Sequence, residues 1–413
     1  MATTDLLELH PFALEVVEDP YRWYELLRQA GPVLRLRNPD LYVVTGYEEV
    51  VTVLRNPGAF SSSLGYRALG ADYLRPGKDT SEVFGVDMHS MRMLISTDPP
   101  EHTRVRRLLS RAFTPRSVLD LEPQLQAICD ELIDELLANA ATGSADLMRD
   151  FANPFPVTVI AELLGIPTER RADFRRWSDA LVGGLSGDVE MTELANTGRE
   201  LFSFMSDVVE RRRAEPGSDL ISRLVVTTDE DGDDPLTMEE MTLIAILLLA
   251  AGNETTTNLL GNAFNAFAIH LRQAERVWSD PSLVPNAVEE VLRWDSPVQC
   301  LLRGTTAPIS LGGIDLPAGA VVLISFAAAN RDPAKFPDPD RFDITRGATD
   351  HLAFGHGIHF CLGASLARNE ARIALDAIIA TGIEIHPSPH AFRTTNLFLR
   401  GFTSFPLTQH IAT

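Results

Sequence analysis

The sequence predicts a mainly α fold with small β-sheet regions. Three observations carry that prediction: apolar residues recur at spacings of three and four, one long apolar stretch opens on a helix cap, and alternating segments are few and short. In residues 118–138, Leu121, Leu125, Ile128, Leu132, Ile133, Leu136 and Leu137 mark one buried helical stripe. Thr237 with Glu240 forms a capping-box pattern, since a threonine oxygen can accept the N–H three residues on while the glutamate reaches back. It opens an apolar helix running to about residue 270. A further helix follows Cys361, through Ala367 to Ile379. Strands are expected at 33–37 and 41–44 around an Asn38-Pro39-Asp40 turn, and at 309–311 and 314–316 around Gly312-Gly313. Another is expected at 321–325, after the break at Pro317 and Gly319.

A chain of 413 residues often divides into domains, but no Ser/Gly tract, charge block or internal repeat separates two halves here. The expectation is one domain over residues 1–413, with a small N-terminal β-rich region and a larger helical region. With 36 basic and 57 acidic residues, the net charge of −21 argues against nucleic acid and anionic lipid as partners. Residues 1–20 are acidic and lack the basic and apolar regions of a signal peptide. The apolar run 243–251 is short for a bilayer span and is followed by Asn253 and Glu254. A cytoplasmic protein without a membrane partner is expected. Its three cysteines, with no CxxC pair, suit a reducing compartment. The acidic loop 229–234 has its glycine fourth instead of sixth and reads as a solvated turn, not a calcium loop.

The most informative segment is FGHGIHFCLG, residues 354–363. It starts like a dinucleotide fingerprint, yet Phe360 stands where a third glycine belongs and no βαβ unit surrounds it. Gly355, Gly357 and Gly363 instead remove side chains where backbone must approach a flat object closely. Cys361 then sits at the mouth of a helix, where free N–H groups and the helix dipole favour a thiolate. A lone cysteine is more often a small buried hydrophobe; the glycines, two histidines and following helix reverse that reading.

The segment resembles the haem-binding loop of bacterial cytochromes P450, with Phe354, Gly355, Gly357, Cys361 and Gly363 in the characteristic places. The resemblance extends over nearly the whole chain and implies the cytochrome P450 fold, haem b (iron protoporphyrin IX) as cofactor, and Cys361 as the iron ligand. Phe354, Gly355 and Gly363 would frame that cofactor. The implied activity is that of a haem-thiolate monooxygenase.

Residues 251–256 interrupt an apolar helix with small and polar side chains, a propensity cost that points to function and to a local bulge or widening. The resemblance implies that Ala251 and Gly252 make room for dioxygen, while Glu254 and Thr255 organise proton delivery. Glu254 stands where aspartate is more common, which alters the reach of that relay. Glu290 and Arg293 lie three apart on one helix face. The resemblance implies that they form a buried structural triad with Arg341.

Haem carries two carboxylates that must be neutralised inside a protein. The resemblance assigns them to His102 and Arg106 on one side and to Arg303 and His359 on the other. Nearby Arg104, Arg107 and Arg111 offer a basic patch to an acidic ferredoxin. By their position, segments 83–93 and 181–185, with Leu247, Ala250, Val298, Leu301, Phe398 and Leu399, should line an apolar pocket for a small lipophilic substrate. No flavin or iron–sulfur segment is present, so ferredoxin and ferredoxin reductase are the expected electron donors. A peroxide-driven enzyme and a non-catalytic haem-binding sensor or carrier are the alternatives.

Overall fold

The computed structural model describes residues 10–11, 13–69, 82–83, 86–87, 92–186, 190–227 and 234–407. The acidic loop read at 229–234 lies outside them, except for Asp234.

The alternating segments pair as their spacing requires. Val33–Arg37 and Asp40–Val44 form the antiparallel N-terminal hairpin, from Val33 opposite Val44 to Arg37 opposite Asp40. That hairpin joins a five-stranded sheet whose spatial order continues through Val321–Ser325, Cys300–Thr305 and Phe60–Ser61. Tyr42, Val43 and Val44 pair in parallel with Val322, Leu323 and Ile324, so chain ends far apart in sequence share one layer. Ile309–Leu311 and Ile314–Leu316 make a separate hairpin. Its turn needs left-handed backbone at both Gly312 and Gly313, with φ of 56° and 80°. The sheet matters to the site because it carries Arg303, opposite Val322 in the antiparallel pairing.

Helices make the rest of the core. The stripe expected over 118–138 is a helix over Glu122–Ala141, preceded by a separate short helix, Pro115–Leu119. Leu125, Cys129, Ile133 and Leu136 are buried, whereas Leu137 is exposed, so the apolar stripe is one residue narrower than the pattern suggested. The long central helix, Met238–Ile269, begins at the predicted cap. The Glu240 N–H donates to Thr237 Oγ1 at 3.1 Å, and the Thr237 N–H donates to Glu240 Oε2 at 2.8 Å. This helix is long and apolar enough to cross a membrane, but two-thirds of its most apolar stretch is buried inside the protein. It is the core element around which the helical region packs. The cysteine helix, Ala364–Thr381, ends at Gly382 in the left-handed conformation.

Behind the site lies a buried ion pair on the helix Val284–Trp294. Arg293 donates from Nε and Nη2 to the two oxygens of Glu290, at 2.8 Å each, with both residues almost fully buried. Its remaining N–H groups reach the carbonyls of Asn330, Pro339 and Arg341. The third member of this cluster is not the expected Arg341. Arg341 contributes only that carbonyl, and its exposed side chain pairs with Asp343 at 3.5 Å. The turn closed by the Arg341 N–H on the Asp338 carbonyl leaves the guanidinium in solvent. The chain then returns, and Arg346 Nε reaches Glu290 Oε1 at 3.4 Å. Asp343 adds its backbone N–H to the same oxygen at 2.8 Å.

Removing one partner of a buried pair strands a charge, so Arg293→Ala should cost about 3–5 kcal/mol. Arg346→Ala should cost roughly 1–2 kcal/mol, while Arg341→Ala should stay within about 0.5 kcal/mol. Urea unfolding of the three variants checks the order. Equal losses for Arg341 and Arg346 would undo the reassignment.

Candidate active site

The cysteine loop is shaped by its own backbone. The Gly355 N–H donates to the Leu352 carbonyl, the Phe360 N–H to Gly357, and the Cys361 N–H to Phe354 at 2.9 Å. Gly355 and Gly357 both adopt φ of 70°, which disfavours any side chain. At Gly357 a Cβ would also collide with the Leu54 carbonyl. Gly363 caps the cysteine helix, and a Cβ there would start 4.0 Å from the Cys361 sulfur. Burial pushes the Cys361 thiol up, while the Gly363 backbone N–H, Arg106 and Arg368 draw it down. The loop's own donors therefore do not outweigh burial. A thiolate at this position calls for a cation in direct contact, as a bound metal provides. Among the described residues, no three His, Cys, Asp or Glu side chains cluster to cage a metal. A metal here would be held by one sulfur and by a group the protein binds.

The character of that group follows from what surrounds the loop. The helix Glu101–Ala112 brings His102 and Arg106, the sheet brings Arg303, and the cysteine loop brings His359. The rings of His102 and His359 lie 4.3 Å apart. His102 is buried, and neither of its ring nitrogens has a hydrogen-bond partner. His359 Nε2 meets Ser62 Oγ at 2.9 Å. Arg106 Nη2 donates to the Phe360 carbonyl at 2.6 Å, and buried Arg303 Nη1 donates to the carbonyl of Leu302. Burial, reinforced by Arg106, pushes His102 down to about 4. Burial, reinforced by Arg303, His102 and Arg106, pushes His359 down to about 3. Burial lowers both arginines as well. Asp98, whose charge reaches His102 and Arg303, spends its hydrogen bonds on Ser61 and Ser62, and among the described residues no carboxylate hydrogen-bonds to any of the four groups. Two arginines and two neutral histidines facing one space, none hydrogen-bonded to a carboxylate among the described residues, offer donors to a ligand carrying two carboxylates, and the two propionates of a haem fit them.

Across that space the central helix runs without a bulge through residues 251–256, contrary to the expected local widening. Ala251 is exposed to the open side. Gly252 serves a different purpose from the one expected. A Cβ there would come 2.7 Å from Ile160 Cδ1, so the glycine permits close packing of the helix Pro154–Leu163. Thr255 is half-buried, and its hydroxyl donates to the Ala251 carbonyl at 2.7 Å. Glu254 points inward, and neither carboxylate oxygen has a hydrogen-bond partner. Burial raises its pKa to about 7, with Asn258 opposing. Glu254 and Thr255 are thus neighbours in sequence that occupy different surroundings.

Leu247 and Ala250 are half-buried on the same helix. Val298 and Phe398 are brought side by side: Val298 bridges Leu399, and the Gln299 N–H donates to the Phe398 carbonyl at 2.8 Å. Most of segment 83–93, and the side chains of 182–185, lie outside the described residues; Leu181 is buried. Arg104, expected in a basic patch, is engaged with Glu240 and the Asp234 carbonyl. A cavity of about 800 Å³ opens elsewhere, among Leu132, Val157, Phe174, Arg175 and Asp179, and none of the candidate site residues lines it.

Sequence reasoning missed two features. Asn253 Nδ2 donates to Ser178 Oγ at 2.6 Å in a buried link to the helix Arg171–Ser186. Glu289, beside Glu290, holds its own partners, His351 and Arg368. In both cases the partner is too far along the chain for a spacing pattern to reveal it.

Comparison with known proteins agrees with this geometry. A family model described as Cytochrome P450 matches residues 189–381. The chain is 40% identical to the cytochrome P450 monooxygenase PikC of Streptomyces venezuelae, over 98% of this chain and 95% of the relative. It is also 40% identical to a vitamin D(3) 25-hydroxylase of Pseudonocardia autotrophica, over 95% and 94%. The solved structure of cytochrome P450 CYP109Q5 from Chondromyces apiculatus matches with a TM-score of 0.85 at 38% identity, over 97% of each chain.

Glu254 titrates at about 7 when folded, against an ordinary 4.5. Between those values the folded state keeps a proton that the unfolded chain has released, so stability falls as pH rises through that window. The loss amounts to at most about 3 kcal/mol. Glu254→Gln, uncharged at every pH, should melt close to the parent at about pH 5 and above it at about pH 8. Parallel slopes in thermal melts would refute the assignment.

Proposed function

The chain belongs to the cytochrome P450 family of haem b monooxygenases, and on that premise we propose that it hydroxylates or epoxidises a large lipophilic molecule with electrons from a ferredoxin and its reductase. One observation supports this above the others: a half-buried cysteine in a glycine-framed loop lies beside two arginines and two neutral histidines to which no carboxylate among the described residues hydrogen-bonds.

Bound there, the haem supplies the activation of dioxygen. The chain's own residues have separable tasks. Cys361 would hold the iron through its sulfur. His102 and Arg106 would neutralise one carboxylate side of the ring, and Arg303 and His359 the other. Phe354, Gly355 and Gly363 would let the loop's backbone lie close to the ring. Ala251 leaves the oxygen side open. Thr255 gives its hydrogen to the Ala251 carbonyl, which leaves Oγ1 as an acceptor for a donor arriving on the open side. Glu254, with a pKa near neutrality, can hold and release a proton at ordinary pH. Glu290, Arg293 and Arg346 fix the ground behind the loop.

The substrate class follows from the lining. Leu247, Ala250, Val298 and Phe398 offer apolar surface and no charge, which favours a scaffold bound by area. The relative named a vitamin D(3) 25-hydroxylase fits the same class. We infer that the enzyme works in the cytoplasm, where its cysteines stay reduced and a ferredoxin can reach it.

The reduced protein under carbon monoxide should show a strongly red-shifted Soret band, which Cys361→Ser should abolish. An unchanged band and turnover in that variant would end the haem-thiolate reading. Thr255→Ala should keep consuming reductant while product per reductant falls roughly tenfold and peroxide is released. Unchanged coupling would remove Thr255 from the relay. Turnover with ferredoxin, reductase and NAD(P)H, set against turnover with peroxide alone, tests the donor. Peroxide support without need of the redox proteins would reverse it.

A further inference from the structure

Glu289 and Glu290 are adjacent acids with separate arginines. Glu290 serves the buried pair with Arg293, whereas Glu289 faces the cysteine helix. There Arg368 Nε donates to Glu289 Oε1 at 2.6 Å and Nη2 donates to Oε2 at 3.0 Å, a bidentate fork. The Ala353 N–H donates to His351 Nδ1 at 3.2 Å, so the ring proton sits on Nε2, which meets Glu289 Oε2 at 3.2 Å. Burial would raise Glu289, but the hydrogen bonds from His351 and Arg368 hold it at about 2, and it is a carboxylate at working pH.

The other side of the Arg368 guanidinium lies 4.4 Å from the centre of the Phe354 ring. Phe354 is the residue whose carbonyl accepts the Cys361 N–H. The fork therefore pins a cation flat against the residue bonded to the ligand's own backbone. Arg368 and Arg106 are the two side-chain charges that act on Cys361. His351, 5.9 Å from Phe354 ring to ring, closes the arrangement. A freely solvated arginine would average its position, whereas this one is held from two directions.

We propose that Arg368, oriented by Glu289 and His351 against Phe354, is a positioning residue that raises the reduction potential of the haem bound at Cys361. The inference rests on the haem-thiolate reading above. Uptake of one electron from the reduced ferredoxin, taking ferric iron to ferrous, makes the centre more negative. A fixed cation beside the loop favours that reduced state, and Glu289 partly offsets it from behind. The two charges of one ion pair thus act on the potential in opposite directions. A purely structural pair would lose haem or broaden its spectrum in the same way whichever partner were changed.

Spectroelectrochemical titration of the haem-loaded parent, Arg368→Gln, Arg368→Lys and Glu289→Gln tests this. Arg368→Gln should make reduction harder, lowering its equilibrium constant roughly three- to tenfold, or about 30–60 mV at 59 mV per tenfold for one electron. Arg368→Lys, which keeps the charge, should stay near the parent. Glu289→Gln should shift the other way. A parent-like potential in haem-replete Arg368→Gln, or a downward shift in Glu289→Gln, overturns the proposal. If Arg368→Gln does not retain haem, Glu289→Gln failing to rise above the parent and Arg368→Lys overturns it equally. A parent without the red-shifted carbon monoxide band sinks the haem-thiolate reading first, and that result is distinct from an unmoved potential.

Discussion

Hydrogen-bond donors gathered beside one loop with no acid bonded to them are the constraint on which this architecture turns. His102, Arg106, Arg303 and His359 come from a helix, a sheet strand and a loop that are remote in sequence. Folding brings them together, and burial, reinforced by the neighbouring arginines, keeps both histidines neutral. Among the described residues no carboxylate hydrogen-bonds to them. An anion arriving there would meet donors from all four. Cofactor uptake is therefore part of what the fold is built for, since the ligand supplies the charge balance that the chain withholds.

The region behind the loop obeys the opposite rule. There the buried charges of Glu289, Glu290 and Arg293 each have partners. Arg293 uses Nε, Nη1 and Nη2 on Glu290 and on carbonyls, and Glu290 collects donors from Arg293, Asp343 and Arg346. Glu289 is satisfied by His351 and Arg368. Buried pairs of this kind contribute little net stability compared with apolar packing, but they fix geometry, because half of one is far worse than none. One face of the cysteine loop is thus rigid and electrostatically complete. The other is open and short of negative charge, and that asymmetry tells the cofactor which way to sit.

Much of this was legible in the sequence, and the exceptions share a cause. The Thr237–Glu240 box, both hairpins, the cysteine helix and the glycine-framed loop are local, and local rules place them to within a few residues. The resemblance points to Arg341 instead of Arg346 because motif spacing cannot see the turn at 338–341 that sends the earlier arginine into solvent. Gly252 was read as room for a ligand, whereas its missing side chain is taken up by Ile160, a contact some ninety residues distant along the chain. The same blindness hid Asn253 with Ser178 and Glu289 with Arg368. Sequence patterns report which face of an element is special; they do not report what lies against it.

Consecutive residues on an α-helix point about 100° apart, and residues 253–255 make that spacing into an arrangement. Asn253 is fastened to the helix Arg171–Ser186, Glu254 enters the interior, and Thr255 faces the open side. In the proposed proton delivery the two groups face different surroundings, and a bridging water would join them. A glutamate suits that task better than a shorter acid would. Its extra methylene lets a carboxyl rooted in the interior swing toward the open side without moving a helix that Asn253 holds in place. On the reading that this pair delivers protons, its fixed part is the threonine hydroxyl bonded to its own helix, and its movable part is the acid with a pKa near neutrality.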